Sequence, residues 1–266
     1  MTTGASPSIP MVMGILNVTP DSFSDGGRFL EPDAAVLHGV ELFAEGASII
    51  DVGGESTRPG AAPVDAAEEI RRVVPVIERL VAHGRVSIDT RKPEVARAAV
   101  AAGATLINDV SAELWTVAAD LGVGWVAMHM QGEPATMQVE PTYDDVVAEV
   151  CEFLDQRAAQ AERAGVTEVW IDPGFGFGKT HQHNLDLLAH LDRVVALGRP
   201  VLVGTSRKAT LGRILADSDR VPDPVDPTDR LAGSIATEVW AMHRGAAMVR
   251  AHDVRAAVQA ARVVAA

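Results

Sequence analysis

The chain of 266 residues lacks what a disulfide scaffold, a thiol-built metal centre or a nucleic-acid binder needs. Cys151 is the one cysteine, which excludes an internal disulfide and a cysteine-built cluster. It shares the apolar face of a helical pattern over 143–154 with no base beside it, so a core position is expected rather than a nucleophile. Basic charge is also short: 23 Lys and Arg against 36 Asp and Glu leave a net −13. That sign opposes binding to nucleic acid or an anionic membrane, both of which require a basic surface. An anionic small molecule stays open, because a few cations gathered at one place make a positive pocket whatever the total. Lysine occurs three times, as Lys92, Lys179 and Lys208. Lys92 precedes Pro93 at a helix start and is expected to be exposed, whereas the other two follow polar strand ends. No apolar run is long enough to span a bilayer, and residues 1–10 carry no basic segment. The expectation is a cytoplasmic protein with a flexible N-terminal segment over 1–10, without signal peptide or membrane span.

What the chain does have is repetition. Eight short apolar runs, at 12–18, 48–54, 86–90, 106–111, 125–130, 168–174, 200–206 and 248–253, alternate with helix-like stretches. Alternating apolar strands and amphipathic helices predict βαβ units and a parallel sheet. Strands buried on both faces should read as continuous apolar stretches, as Ile49-Ile50-Asp51-Val52 and Val201-Leu202-Val203 do. Eight units in about 250 residues is the count and length of an α/β (β/α)8 barrel, here one domain over 11–266.

In such a barrel the chemistry sits at the C-terminal ends of the strands. Those places hold Asn17, Asp51 with Glu55, Asp89, Asn108 with Asp109, His129, Asp172, Ser206 with Lys208, and Arg250 with His252. A polar group at nearly every strand end predicts a ring of side chains around one pocket. Asp89, Asn108 and Asp172 suit a flat heterocycle presenting N–H and NH₂ groups along an edge, as in a pterin or guanine; capping helices is their plainer alternative. The step from the seventh strand into a helix sets free backbone N–H groups, Ser206 and Lys208 at the mouth, and a helix N-terminus attracts anions. Arg250 and His252 alternate to one side of the eighth strand and favour an anion site there. The first loop, with carboxylates at Asp21 and Asp25, and Asn17 at the strand end offer hard oxygen ligands for Mg²⁺, completed by a substrate pyrophosphate. The second, around Thr57-Arg58-Pro59, is either a functional loop or a solvated one.

The stretches GILNVTPDSFSDGG at 14–27, DVGGESTRPG at 51–60, SIDT at 87–90 and NDVS at 108–111 carry a resemblance across nearly the whole chain. MHMQGEPATMQ at 128–138, DPGFGFGK at 172–179, TSRK at 205–208 and VRAHDV at 249–254 continue it in order. Together they resemble the dihydropteroate synthases of folate synthesis. The resemblance implies condensation of 6-hydroxymethyl-7,8-dihydropterin pyrophosphate with 4-aminobenzoate, with Mg²⁺ as cofactor, in a homodimer. It implies that Asp89, Asn108, Asp172 and Lys208 bind the pterin between Met128, Phe177 and Gly204. It assigns Asn17, Arg250 and His252 to the pyrophosphate, Asn17 and Asp25 to the ion, and Phe23, Thr57, Arg58, Pro59 and Ser206 to the aminobenzoate side. Catalysis would fall to Asp89, Asp172, Lys208, Arg250 and His252. One departure is Ala209, where many relatives have a hydroxyl that meets the aminobenzoate carboxylate. Another is Ala112-Glu113, where a glycine pair is frequent. A pterin-binding methyltransferase and a non-catalytic pterin-binding paralogue are the rival readings. Regions near 211–215 and 229–243 are the expected dimer faces.

Overall fold

The computed structural model describes residues 9–19, 32–56, 63–134 and 136–266. Residues 1–8 of the expected flexible segment lie outside the described residues, as do Phe23, Asp25, Thr57, Arg58 and Pro59. The chain runs β1 (Met11–Asn17), α1 (Pro32–Ala44), β2 (Ile49–Gly53), α2 (Ala66–Leu80), β3 (Arg85–Asp89) and α3 (Pro93–Ala101). It continues with β4 (Leu106–Asp109), α4 (Trp115–Leu121), β5 (Gly124–Met128), α5 (Val146–Arg163), β6 (Val169–Asp172), α6 (His181–Ala189) and α7 (Leu191–Val195). It ends with β7 (Leu202–Val203), α8 (Ala209–Asp219), α9 (Leu231–His243), β8 (Met248–Ala251) and α10 (Val254–Val264).

All strand pairs are parallel, in the order β6-β5-β4-β3-β2-β1-β8-β7. One parallel bridge, Ile171 to Val201, joins β6 to β7 and brings the ring nearly to closure. The eight predicted strands are therefore present. The seventh, Leu202–Val203, is shorter than its apolar run; it follows Pro200, which has no N–H to donate to the ladder, and Val201, which is joined to Ile171 by an isolated bridge.

Strand side chains alternate between two apolar compartments. Val12, Ile50, Ile88, Ile107, Trp125, Ile171, Val203 and Val249 belong to the larger cluster, which the helices cover. Met13, Ile49, Leu106, Val126, Trp170, Leu202 and Met248, one residue out of phase, fill the barrel interior. The helices carry local start signals: Asp65 caps α2 by accepting the Glu68 N–H at 2.8 Å, and Asp145 caps α5 through Val147 and Ala148. Thr180 and His183 form a capping box at the start of α6. Cys151 is half-buried on α5 against the larger cluster, and burial raises its thiol pKa, which makes it a poor nucleophile. Among the described residues no helix is long and apolar enough to cross a membrane.

Candidate active site

The interior phase of most strands ends in a polar or small residue at the barrel mouth, while that of β5 ends in Met128. Two positions beyond Ile49 stands Asp51; beyond Leu106, Asn108; beyond Trp170, Asp172; beyond Met248, Arg250. Asp51 is fully buried, and its Oδ2 accepts from Arg250 Nε at 2.7 Å and from Asn108 Nδ2 at 2.8 Å. Arg250 Nη2 donates to Asp89 Oδ2 at 2.8 Å. Asn108 and Arg250 thus meet through Asp51, with Asp89 joined through Arg250, although the sequence marked Asp51 as a strand end and nothing more. The available signal was a carboxylate inside an otherwise apolar strand, in phase with Ile49. Asp51 Oδ1 is buried and has no hydrogen-bond partner among the described residues.

Lys208 closes the other side. Its Nζ donates to the Phe175 carbonyl oxygen and stands 4.5 Å from the centre of the Phe177 ring. Asp172 Oδ1 accepts the Gly174 N–H at 2.7 Å. A Cβ on Gly204 would lie 3.7 Å from Arg250 Cβ and 3.9 Å from Lys208 Nζ, so bare backbone forms the wall between the two cations. Met128 is buried at the end of β5, in register with Asp172. Asn17 ends β1; its Oδ1 and Asp89 Oδ2 would each be 3.7 Å from a Cβ on Gly53.

Burial raises Asp89, the Arg250 guanidinium opposes that rise, and the Asp51, Glu69 and Asp109 carboxylates reinforce it. Burial likewise raises Asp172 against the pull of Lys208 and of the Gly174 N–H. Burial brings Lys208 down to about 8, with Asp172 resisting. Burial works against the charge of Arg250, yet Asp51 and Asp89 outweigh it and hold the group above its ordinary range. Acids and bases here hold one another's charge in a dry place, an arrangement able to meet both a polar ring and developing charge.

Ser206, expected on the aminobenzoate side, hydrogen-bonds the anion-side histidine. Its Oγ accepts the His252 N–H at 3.1 Å and lies 3.0 Å from His252 Nδ1. Arg207 turns away to Asp253, at 2.7 and 3.1 Å. Lys208 is the N-cap of α8, and no side chain caps that end. Asp109 is out of phase with Asn108 and points toward the helices. It accepts from the N–H groups of Ser111, Glu113 and Leu114, from Ser111 Oγ and from Trp125 Nε1, so it is structural.

The expectation for Lys92 is overturned. Its side chain is 20% exposed, and Nζ lies 3.0 Å from Glu55 Oε2 and 2.5 Å from Glu69 Oε2. Glu69 is buried and requires a cation beside it, which sets the position of Lys92. Glu55 Oε1 also accepts the Val64 N–H at 3.0 Å, so both ends of the segment carrying Thr57-Arg58-Pro59 are tied to one carboxylate.

With this geometry in view, the chain matches the family of pterin binding enzymes over residues 13–252. It is 47% identical over 270 residues to the dihydropteroate synthase of Escherichia coli (strain K12), covering 98% of this chain and 93% of that protein. The structure of Xanthomonas albilineans dihydropteroate synthase with 4-aminobenzoic acid superposes with a TM-score of 0.86 at 52% identity, covering 96% and 92% of the two chains. The same organism's enzyme in complex with 7,8-dihydropteroate gives a TM-score of 0.83 at 50% identity, again with coverages of 96% and 92%. The barrel, the mouth residues and these matches agree: the chain belongs to the pterin-binding enzyme family, among the dihydropteroate synthases.

Proposed function

We propose that this chain joins 6-hydroxymethyl-7,8-dihydropterin pyrophosphate to 4-aminobenzoate, giving 7,8-dihydropteroate and pyrophosphate in folate synthesis. The observation that carries this reading is the buried network of Asp51, Asp89, Asn108 and Arg250, with Asp172 and Lys208 facing the same barrel mouth. It matches a substrate with a hydrogen-bonding heterocycle at one end and an anion at the other. Asp89, Asn108 and Asp172 take the pterin edge; Met128, Phe177 and Gly204 wall its faces, and Lys208 donates to it. Arg250 and His252 take the pyrophosphate. Arg250 has Nε and Nη2 committed to Asp51 and Asp89, which sets its plane and leaves further N–H groups as donors.

Asn17 supplies a hard oxygen beside Asp89, and Mg²⁺ commonly binds through one or two protein groups plus substrate phosphates, so this donor fits that ion. Asp25 is the second proposed ligand. Bound there, Mg²⁺ would neutralise part of the pyrophosphate charge and make it a better leaving group. The protein's own share is electrostatic. The C–O bond to pyrophosphate breaks and the electron pair leaves with the phosphate oxygen, toward Arg250 and His252. The positive charge left on the methylene spreads into the pterin ring, which Asp89 and Asp172 favour. The amine lone pair then forms the C–N bond, and the amine gives up a proton. Phe23, Thr57, Arg58 and Pro59 are the residues proposed to order the aminobenzoate, and Ala209 leaves its carboxylate only backbone N–H groups at the start of α8.

Residues 11–266 are read as one domain in the cytoplasm. Ile214 on α8 and Leu231 and Trp240 on α9 are 43–46% exposed, which supports a homodimer through these helices. The test is pyrophosphate release from purified protein with Mg²⁺ and both substrates, with the product identified by mass. Release that requires aminobenzoate is expected. Pterin binding without product would favour a non-catalytic paralogue instead.

A further inference from the structure

Lys179 is one of three lysines in the chain, is 3% exposed, and of the residues assigned to substrate meets only the Phe177 backbone carbonyl. Its Nζ lies 2.9 Å from His129 Nδ1 and donates to the carbonyl oxygens of Phe177 at 2.9 Å, Gly174 at 3.0 Å and His129 at 3.3 Å. These partners come from the end of β5 and from the loop after β6. The two loops are pressed together so closely that a Cβ on Gly174 would collide with the His129 carbonyl oxygen, and one on Gly178 with that of Gln131. Gly174, Gly176 and Gly178 all have positive φ, so the loop has little conformational preference of its own to hold it in place. His129 is fixed in turn, with Phe153 edge-on at 5.0 Å and Tyr143 at 6.0 Å, while Tyr143 Oη donates to the Gly178 carbonyl at 2.7 Å.

The same loop carries the groups that meet Lys208: the Phe175 carbonyl oxygen and the Phe177 ring. It also carries the Gly174 N–H received by Asp172. We propose that Lys179 is a positioning residue for the pterin pocket: its ammonium group draws His129 and the Gly174 and Phe177 carbonyls together, and so sets Phe175 and Phe177 against Lys208. Burial, aided by the charge of Lys179, lowers His129 to about 3, so the ring is neutral, and Nδ1 accepts from Lys179 in the tautomer that carries its proton on Nε2. Burial lowers Lys179 to about 7 while the Asp172 carboxylate pulls it back up. Three carbonyl oxygens and the His129 ring nitrogen surround Nζ, a set that the three N–H groups of the ammonium form serve better than the two of the neutral amine.

This inference rests on the pocket's taking a dihydropterin, and its test separates the two claims. Lys179→Met keeps the length of the side chain and removes its donors. The variant is expected to bind dihydropterin pyrophosphate about 10–100-fold more weakly, the scale of a misplacement of about 1 Å, with the aminobenzoate KM nearly unchanged. Because the chain has three lysines, nitrogen-labelled lysine gives three side-chain resonances in an NMR spectrum. Loss of the Lys179 signal should come with a displaced Lys208 signal and an unmoved Lys92 signal. Wild-type pterin affinity with an unmoved Lys208 signal would overturn the proposal. Should the Met variant not fold, His129→Gln, which leaves the three carbonyls in place, is expected to shift Lys208 and weaken pterin binding by a smaller factor; no change in either overturns it. Failure of the wild-type protein to bind the pterin would instead count against the functional reading, and the Lys208 signal would still judge the role of Lys179.

Discussion

The floor and the mouth of the barrel interior are built from the same strands, two residues apart, and they do opposite work. The floor packs Met13, Ile49, Leu106, Val126, Trp170, Leu202 and Met248. The mouth holds Asp51, Asn108, Asp172 and Arg250 at the next inward positions. Burying apolar side chains stabilises the fold by roughly 1.5–3 kcal/mol each. Burying carboxylates and cations brings little net stability, because desolvation cancels much of their attraction. The floor therefore accounts for folding and the mouth for chemistry, and the raised Asp172 and lowered Lys208 are the marks of that division.

Substitutions that remove one property at a time separate the mouth from the floor. Asp172→Asn should lower kcat/KM by about 10²–10³-fold, in the range found when a preorganised charge-stabilising group is lost. Its melting temperature should stay level or rise. The sign follows from Asp172 having its pKa raised in the fold: the ionised form is disfavoured there, so at neutral pH removing the charge relieves the folded state. Leu106→Ala should do the reverse, costing about 2–5 kcal/mol in denaturant unfolding while the folded fraction keeps its KM for both substrates. A Leu106→Ala enzyme that lost activity out of proportion to its unfolding would erase the distinction.

Asp109→Ala tests phase within one strand. Asp109 neighbours Asn108 but accepts its hydrogen bonds on the helix side, so losing it should cost about 3 kcal/mol of stability with little change in kcat. A further effect is read by pH. With Lys208 held down at about 8, the ammonium is present below that pH and lost above it, so pterin affinity should weaken as pH rises through that value. Lys208→Met should bind weakly throughout, and a wild-type affinity flat to high pH would remove Lys208 from the pterin. The smallest effect is expected from Cys151→Ser, about 1 kcal/mol of stability or less and no change in rate, since the thiol is half-buried and its pKa raised.

Strand count, helix alternation and the list of mouth residues were legible in the sequence, because period-two burial and polar run ends are local properties. Parity also separates Asn108 from Asp109 once the strand is placed. Partnerships were not legible. Asp51 and Arg250 are 199 residues apart, and no local pattern says that one carboxylate oxygen receives both Arg250 and Asn108. Lys92 read as exposed because its partners Glu55 and Glu69 belong to other elements. Lys179 was visible as a rarity without a task, since its acceptors are mostly backbone carbonyls that have no sequence signature.

An eight-unit barrel with a polar mouth follows from the order of the residues, since apolar spacing and strand alternation come from backbone geometry. Which mouth residues share protons and charge depends on the closed ring. Closing the ring brings side chains from distant strands within 3 Å of one another, and hydrogen bonding and desolvation act only at that range.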